Sequence, residues 1–215
     1  MIFVKIFSYR CSGFLKMKKK KYKEILSHYP EEYPDLVSHC KQVTKLAIQL
    51  FNKTCSLHKL GKKEKKYLIY ASLLHDIGYI IDSISHNKHS CKFIIENSSL
   101  PFCKKAREVI ACVARYHRGP LPKQTHKIFG KLDGKKQEIV TILSSLLRIA
   151  DGLDYTHQNS IKSLKVKIDS DRVLIEVNPS KGSIPTIDLE RSKKKSDLFA
   201  HVFQFKEVHI IGKAK

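Results

Sequence analysis

Acidic residues are scarce in this sequence: 20 Asp and Glu stand against 41 Lys and Arg, so the chain carries +21 with its histidines neutral. A field of that sign attracts polyanions, although a lysine-rich, solvated surface gives the same balance. The charge therefore narrows a ligand to something acidic and no further. The lysines lack the interleaved aromatic residues of a single-strand nucleic-acid platform, so nucleic acid is not the favoured partner. Apolar runs are short as well. Hydrophobic residues make up 42% of 215 residues, but none of the runs reaches the length of about 20 that a membrane span needs, and no membrane role is expected. The six cysteines (Cys11, Cys40, Cys55, Cys91, Cys103 and Cys112) contain no Cys-x-x-Cys pair. They read as reduced core residues. A secretory signal is also missing, because the apolar residues between Met1 and Phe14 precede the lysine cluster Lys16 to Lys23 instead of following it. Together these absences predict a cytoplasmic protein. Met17 offers a second start, and residues 1–26 are expected to be a basic extension without fixed structure.

What is present is organised around Tyr70-Ala71-Ser72-Leu73-Leu74-His75-Asp76-Ile77-Gly78-Tyr79. An imidazole and a carboxylate stand side by side at the end of an apolar helix, with Gly78 expected as its left-handed cap. Burying such a pair costs several kcal/mol, roughly, unless each group is paired or bound to a metal.

Other segments supply partners of the same kind. After Pro34, an amphipathic helix capped by Asp35 runs to Thr54 with the stripe Leu36, Cys40, Val43, Ala47 and Leu50, and His39 lies at its edge. Taken alone, His39 reads as a core-edge histidine. The central helix begins at Lys62 to Lys66. A third helix, His86 to Asn97, carries His86 and His89 one turn apart on one face. A fourth, Lys104 to His117, ends at Gly119, Pro120 and Pro122, with His117 and Arg118 at its C-terminus. A Pro- and Gly-rich loop follows to Gly134. The fifth helix, Lys136 to Tyr155, has an apolar stripe and, on another face, Arg148, Asp151 and Asp154. Two acids three apart can equally be a solvated edge.

Near Ile161 the period changes. Alternating residues on either side of Asp169 to Arg172 predict a hairpin, followed by a helix from Asp188 to His201 and a strand from Phe205 to Ile211. The predicted fold class is mainly α: a helical bundle over residues 27–160 with a small C-terminal α+β module of β-β-α-β order over residues 161–215. No internal repeat occurs.

His39, His75, Asp76 and Asp151 come from separate helices, and such ligands converging in a bundle can hold a divalent cation. Nitrogen and oxygen donors suit zinc, manganese, iron or magnesium. His86, His89 and His117 then serve a second ion or grip a phosphate.

At these residues the chain resembles HD-domain phosphohydrolases, the superfamily named for its His-Asp doublet. It resembles more closely the C-terminal region of the exopolyphosphatase and guanosine pentaphosphate phosphatase (Ppx/GppA) family. The resemblance is carried by Leu73-Leu74-His75-Asp76-Ile77-Gly78, His86-Asn87-Lys88-His89-Ser90, Arg115-Tyr116-His117-Arg118, Leu147-Arg148-Ile149-Ala150-Asp151-Gly152-Leu153-Asp154 and Asp197-Leu198-Phe199-Ala200-His201-Val202-Phe203. It spans about Ser27 to Ile211. Family enzymes carry their phosphatase chemistry on N-terminal actin-like ATPase-fold domains, for which this chain has neither Gly-rich phosphate loops nor length. The HD metal set itself is intact.

The resemblance implies an HD fold and a metal-dependent phosphohydrolase for a nucleotide, polyphosphate or other phosphate ester, with one or two divalent ions per chain. His39, His75, Asp76 and Asp151 would be ligands, with a second site at His86, His89 and His117. Asp76 would orient the attacking water, and His117 would complete the second site or protonate the leaving oxygen. Lys88, Arg115, Arg118, Arg148 and Asp154 form the expected substrate-binding set. The alternative is a non-catalytic module that binds polyphosphate or a nucleotide alarmone. The partner in either case is a phosphorylated anion, and a homodimer is allowed.

Overall fold

A computed structural model of the chain describes residues 19–180 and 182–213. The question of Met1 or Met17 as start lies outside the described residues.

The chain order explains how polar groups from distant positions reach one place. Helix α1 (Lys19–Leu26) falls inside the stretch expected to lack structure. It is a helix because Ile25 is fully buried and the turn that follows is tied to the core, where the Tyr29 hydroxyl donates to the Leu73 carbonyl at 2.9 Å. Helix α2 (Pro34–Lys53) opens on Pro34, whose missing N–H costs nothing at a first helical position, so Asp35 sits in the first turn rather than at the cap. Its stripe Leu36, Cys40, Val43, Ala47 and Leu50 is buried as expected. A short helix, α3 (Cys55–His58), leads to α4 (Lys62–Leu74), where the Gly61 N–H donates to the Glu64 carboxylate at 2.9 Å.

Helix α4 ends one residue before the His-Asp doublet, and a 3-10 turn, Ile77–Ile80, follows. Gly78 is not the left-handed cap the sequence predicts; among the described residues the only glycine with positive φ is Gly119. Its role is close approach. A Cβ on Gly78 would lie 2.2 Å from the His86 carbonyl oxygen and 2.5 Å from the Ser90 nitrogen, so only glycine lets this turn rest on the next helix. That helix is α5 (His86–Glu96), packed against α6 (Lys104–Arg115). Helix α7 (Gly134–Gly152) starts at Asp133, which accepts the Lys136 N–H at 2.9 Å, and it packs against α2, α4 and α6.

The C-terminal part is a three-stranded sheet in the order β1-β2-β3. Strands β1 (Ile161–Ile168) and β2 (Arg172–Pro179) form the expected antiparallel hairpin, with Val166 opposite Ile175. Strand β3 (Glu207–Gly212) runs parallel to β2, as a helical crossover allows. The crossover is two helices, not one: α8 (Thr186–Lys194) and α9 (Asp197–Phe203). Ser196 makes the break, its hydroxyl donating to the Lys193 carbonyl at 2.7 Å and closing the first helix. The architecture is thus mainly helical with a small C-terminal sheet module. Buried residues of both parts, among them Leu50, Leu143, Ile161, Ile175 and Phe199, belong to one hydrophobic cluster. Among the described residues no helix is long and apolar enough to cross a membrane.

Candidate metal centre

Four histidines and two aspartates meet where the ends of the helices converge. His39 projects from α2, His75 caps α4, Asp76 follows it, His86 opens α5, His117 lies two residues beyond α6, and Asp151 stands near the end of α7. All six are buried.

Each imidazole is oriented by an acceptor behind it. The Nδ1–H groups donate to Asp154 from His39 at 2.9 Å, to the Ser72 carbonyl from His75 at 2.8 Å, to the Ser83 carbonyl from His86 at 2.7 Å and to the Ala114 carbonyl from His117 at 2.6 Å. A carbonyl can only accept, so those Nδ1 atoms carry the proton. The four Nε2 atoms face inward. Asp76 Oδ1 lies 3.5, 3.2 and 3.4 Å from Nε2 of His75, His86 and His117, while Oδ2 lies 3.6 Å from Nε2 of His39. Asp151 Oδ1 lies 3.4 Å from His39 Nε2 and 3.6 Å from His75 Nε2. His39 Nε2, His75 Nε2 and Asp76 Oδ1 have no hydrogen-bond partner although they are buried. The Nε2 atoms of His86 and His117 lie 3.2 Å apart and pair with each other. Orphaned buried polar atoms are costly, and imidazoles held through Nδ1 with Nε2 aimed at one point are the usual outer support of a metal site.

The charges say the same thing. Burial pushes the His39 pKa down, but the carboxylate of Asp151, 3.4 Å away, and the hydrogen bond to Asp154 outweigh it and lift it to about 10. His75 is likewise lowered by burial and carried well above its ordinary value by Asp76. Asp76 and Asp151 are raised by burial, yet the facing cations, His75 for the first and Lys195 for the second, hold both below the usual carboxylate range. Burial and the like charge of His75 take His117 down to about 3. Two carboxylates held below their usual range among inward-facing imidazoles are a donor set that a divalent cation can use.

The donor atoms form groups that can hold a metal: His39, His75 and Asp151; His75, Asp76 and His117; and His39, Asp76 and His157. The first two groups join residues expected as ligands from the sequence. His157 was not anticipated; its ring stacks on His39 at 3.8 Å, brought there by a left-handed backbone (φ 57°) that no sequence period signals.

Beside the centre lies a cavity of about 490 Å³, lined by Asp76, His86, His117 and Asp151 on one side and by Arg118, Arg191, Lys194 and Lys195 on the other. Of the expected substrate-binding set, only Arg118 reaches it. Its Nη1 approaches His86 Nδ1 at 3.3 Å, but that proton already goes to Ser83, so the guanidinium keeps its donors for another partner. The other four point elsewhere. Arg148 is buried, clasping Asp197 at 3.1 and 3.3 Å and donating to the Tyr116 and Gly119 carbonyls. Asp154 is fully buried behind His39, which it orients. Arg115 lies 5.9 Å over the Tyr116 ring, and Lys88 is exposed. His89 shares the helix face but not the centre; its Nε2 is 3.9 Å from Asp82 on the half-exposed side of α5.

Fold and site together define a class: a helical domain whose buried histidine–carboxylate centre opens onto a basic cavity, completed by a small sheet module. Residues 31–196 match the family model described as Ppx/GppA phosphatase, domain III, and the chain belongs to that family. Among curated proteins, none matches the chain.

Proposed function

We propose that the chain is a metal-dependent phosphohydrolase of the HD type, acting on a nucleotide, a polyphosphate or another phosphate ester. The observation that carries this reading is the convergence of four Nε2 atoms, those of His39 and His75 orphaned, on Asp76 beside a basic cavity. His39, His75, Asp76 and Asp151 would hold one divalent ion, and Asp76 with His86 and His117 a second. Mn²⁺, Fe²⁺, Zn²⁺ or Mg²⁺ bound there would supply Lewis acidity and a water of lowered pKa. Asp76, with one oxygen toward His39 and the other toward three imidazoles, would contribute to both groups and orient the attacking water. His117 has committed its Nδ1–H to Ala114 and offers only its Nε2, 3.2 Å from that of His86, which suits a ligand better than a proton donor. Arg118 meets the phosphate through two donors at once.

A second reading is favoured by the family match itself, which is to domain III of a phosphatase family. In that reading the centre binds a polyphosphate or a nucleotide alarmone without hydrolysing it. Phosphate release from nucleoside triphosphates, nucleoside monophosphates and short-chain polyphosphate by the Mn²⁺-supplemented protein distinguishes the two. Turnover abolished by His75→Ala supports the enzyme; saturable binding without turnover supports the module.

A further inference from the structure

The centre described above is built from the helical part, yet one of its carboxylates is held from outside. Lys195, immediately after α8, forms an ion pair with Asp151 Oδ2, while Oδ1 of the same carboxylate faces His39 and His75. Lys195 also lines the cavity, and so do Arg191 and Lys194, four and one residues before it. We propose that α8 is the phosphate-binding wall of the site, that Lys195 is its inner contact, and that the C-terminal module is therefore part of the substrate site. This assignment builds on the phosphohydrolase reading but concerns a different set of residues.

The placement is fixed on both sides of Lys195. Gly152 follows Asp151 directly, and a Cβ there would lie 2.5 Å from the Ser192 Cα and 2.8 Å from the Ser192 nitrogen, so the glycine allows α8 to cross α7 in backbone contact. The Ser192 hydroxyl donates to the Ile149 carbonyl at 3.0 Å. Upstream, Asp188 accepts the Thr156 N–H at 2.9 Å and its hydroxyl at 3.1 Å; downstream, Asp197 holds Arg148. A lysine one turn past Ser192 then has little choice but to meet Asp151. Positions 191, 194 and 195 share one helix face, which turns their three cations toward the cavity.

The chemistry follows from the charges. Asp151 is the counter-ion that keeps the Lys195 ammonium at the cavity edge, and a phosphate oxygen entering from the open side meets the same ammonium. Arg191 stacks over the Tyr155 ring at 4.4 Å, which holds the guanidinium at the rim. Arg118, beside His86, lines the same cavity.

The test uses the full chain, with pyrophosphate as probe and Mn²⁺ binding measured separately. Lys195→Met is expected to weaken pyrophosphate binding at least tenfold while the Mn²⁺ stoichiometry stays that of wild type, and Lys195→Arg is expected to restore most of the affinity. Arg191→Met with Lys194→Met, on exposed side chains, gives the same direction without disturbing the core. A Lys195→Met protein that keeps its Mn²⁺ and binds pyrophosphate as tightly as wild type overturns the proposal. So does a loss confined to Mn²⁺ stoichiometry, which marks a purely structural ion pair. The two measurements separate the two readings: wild type that takes up no Mn²⁺ in the metal titration defeats the metal centre alone, whereas equal pyrophosphate binding by wild type and Lys195→Met, titrated at low ionic strength without Mn²⁺, defeats the wall alone.

Discussion

The two sides of the cavity differ in how firmly their side chains are held. On the inner side, His86 and His117 line the cavity and His39 and His75 complete the cluster outside the lining; all four are buried, and each ring is fixed by an acceptor on Nδ1. On the outer side, Arg191 and Lys194 are exposed, and Lys195 is tied to the site through a single carboxylate. A metal demands fixed ligand geometry, and the inner side gathers donor groups that can hold one. A phosphate tolerates many arrangements of cations around it, and long side chains on a helix face can supply them. On the proposed function, the division makes affinity for metal and affinity for anion separable.

The sharpest way to break that division is at the doublet. His75→Ala and Asp76→Ala are each expected to abolish metal binding and leave a helical protein, since the remaining donors cannot close the coordination shell. Removing Asp76 also leaves buried cationic imidazoles unpaired, so the metal-free variant should lose about 3 kcal/mol or more of stability. Circular dichroism with metal analysis checks both, and full occupancy in either variant would remove the doublet from the centre. On the outer side, Arg118→Ala should weaken binding of a phosphorylated ligand by roughly 1.5 to 3 kcal/mol, as for hydrogen bonds to charged groups, with metal content unchanged. Calorimetry with nucleotide phosphates and short-chain polyphosphate measures this. Arg148→Ala sharpens the comparison by loosening the anchor of α9 without touching the centre. Arg148 is buried and also donates to the Tyr116 and Gly119 carbonyls, so denaturant unfolding should register a loss of about 1 to 3 kcal/mol, with metal content as in wild type and phosphate affinity lowered less than in Lys195→Met. A loss of metal from the folded variant would mean that the two sides are not separable.

Much of the inner side was legible in the sequence because helices announce themselves by period. An apolar stripe on α2 puts His39 at an edge, and the apolar α4 ends in a polar doublet that has to find a partner. Reading the faces of α7 was less secure. Arg148, Asp151 and Asp154 are three apart, but the helix turns about 300° over three residues, and the drift is enough to aim only Asp151 at the centre. Arg148 ends against Asp197, and Asp154 behind His39. Gly78 carried a local cue, the end of a helix, but its function is set by α5, which the local sequence does not reveal. Lys195 was the least legible. It belongs to the run Lys193 to Lys195, and nothing in the run marks the one that reaches a carboxylate 44 residues away; that depends on Gly152 and on the break at Ser196. His157 was hidden for a similar reason, being placed by a left-handed residue in a loop.

The central claim is that the orphaned Nε2 atoms and Asp76 exist to hold a cation. Metal analysis of the full chain purified without chelator tests it most directly. The account predicts one or two divalent transition-metal ions per chain, removed by chelator and restored by Mn²⁺. A stably folded protein that carries none, and takes up none from excess Mn²⁺, Fe²⁺, Zn²⁺ or Mg²⁺, would contradict it.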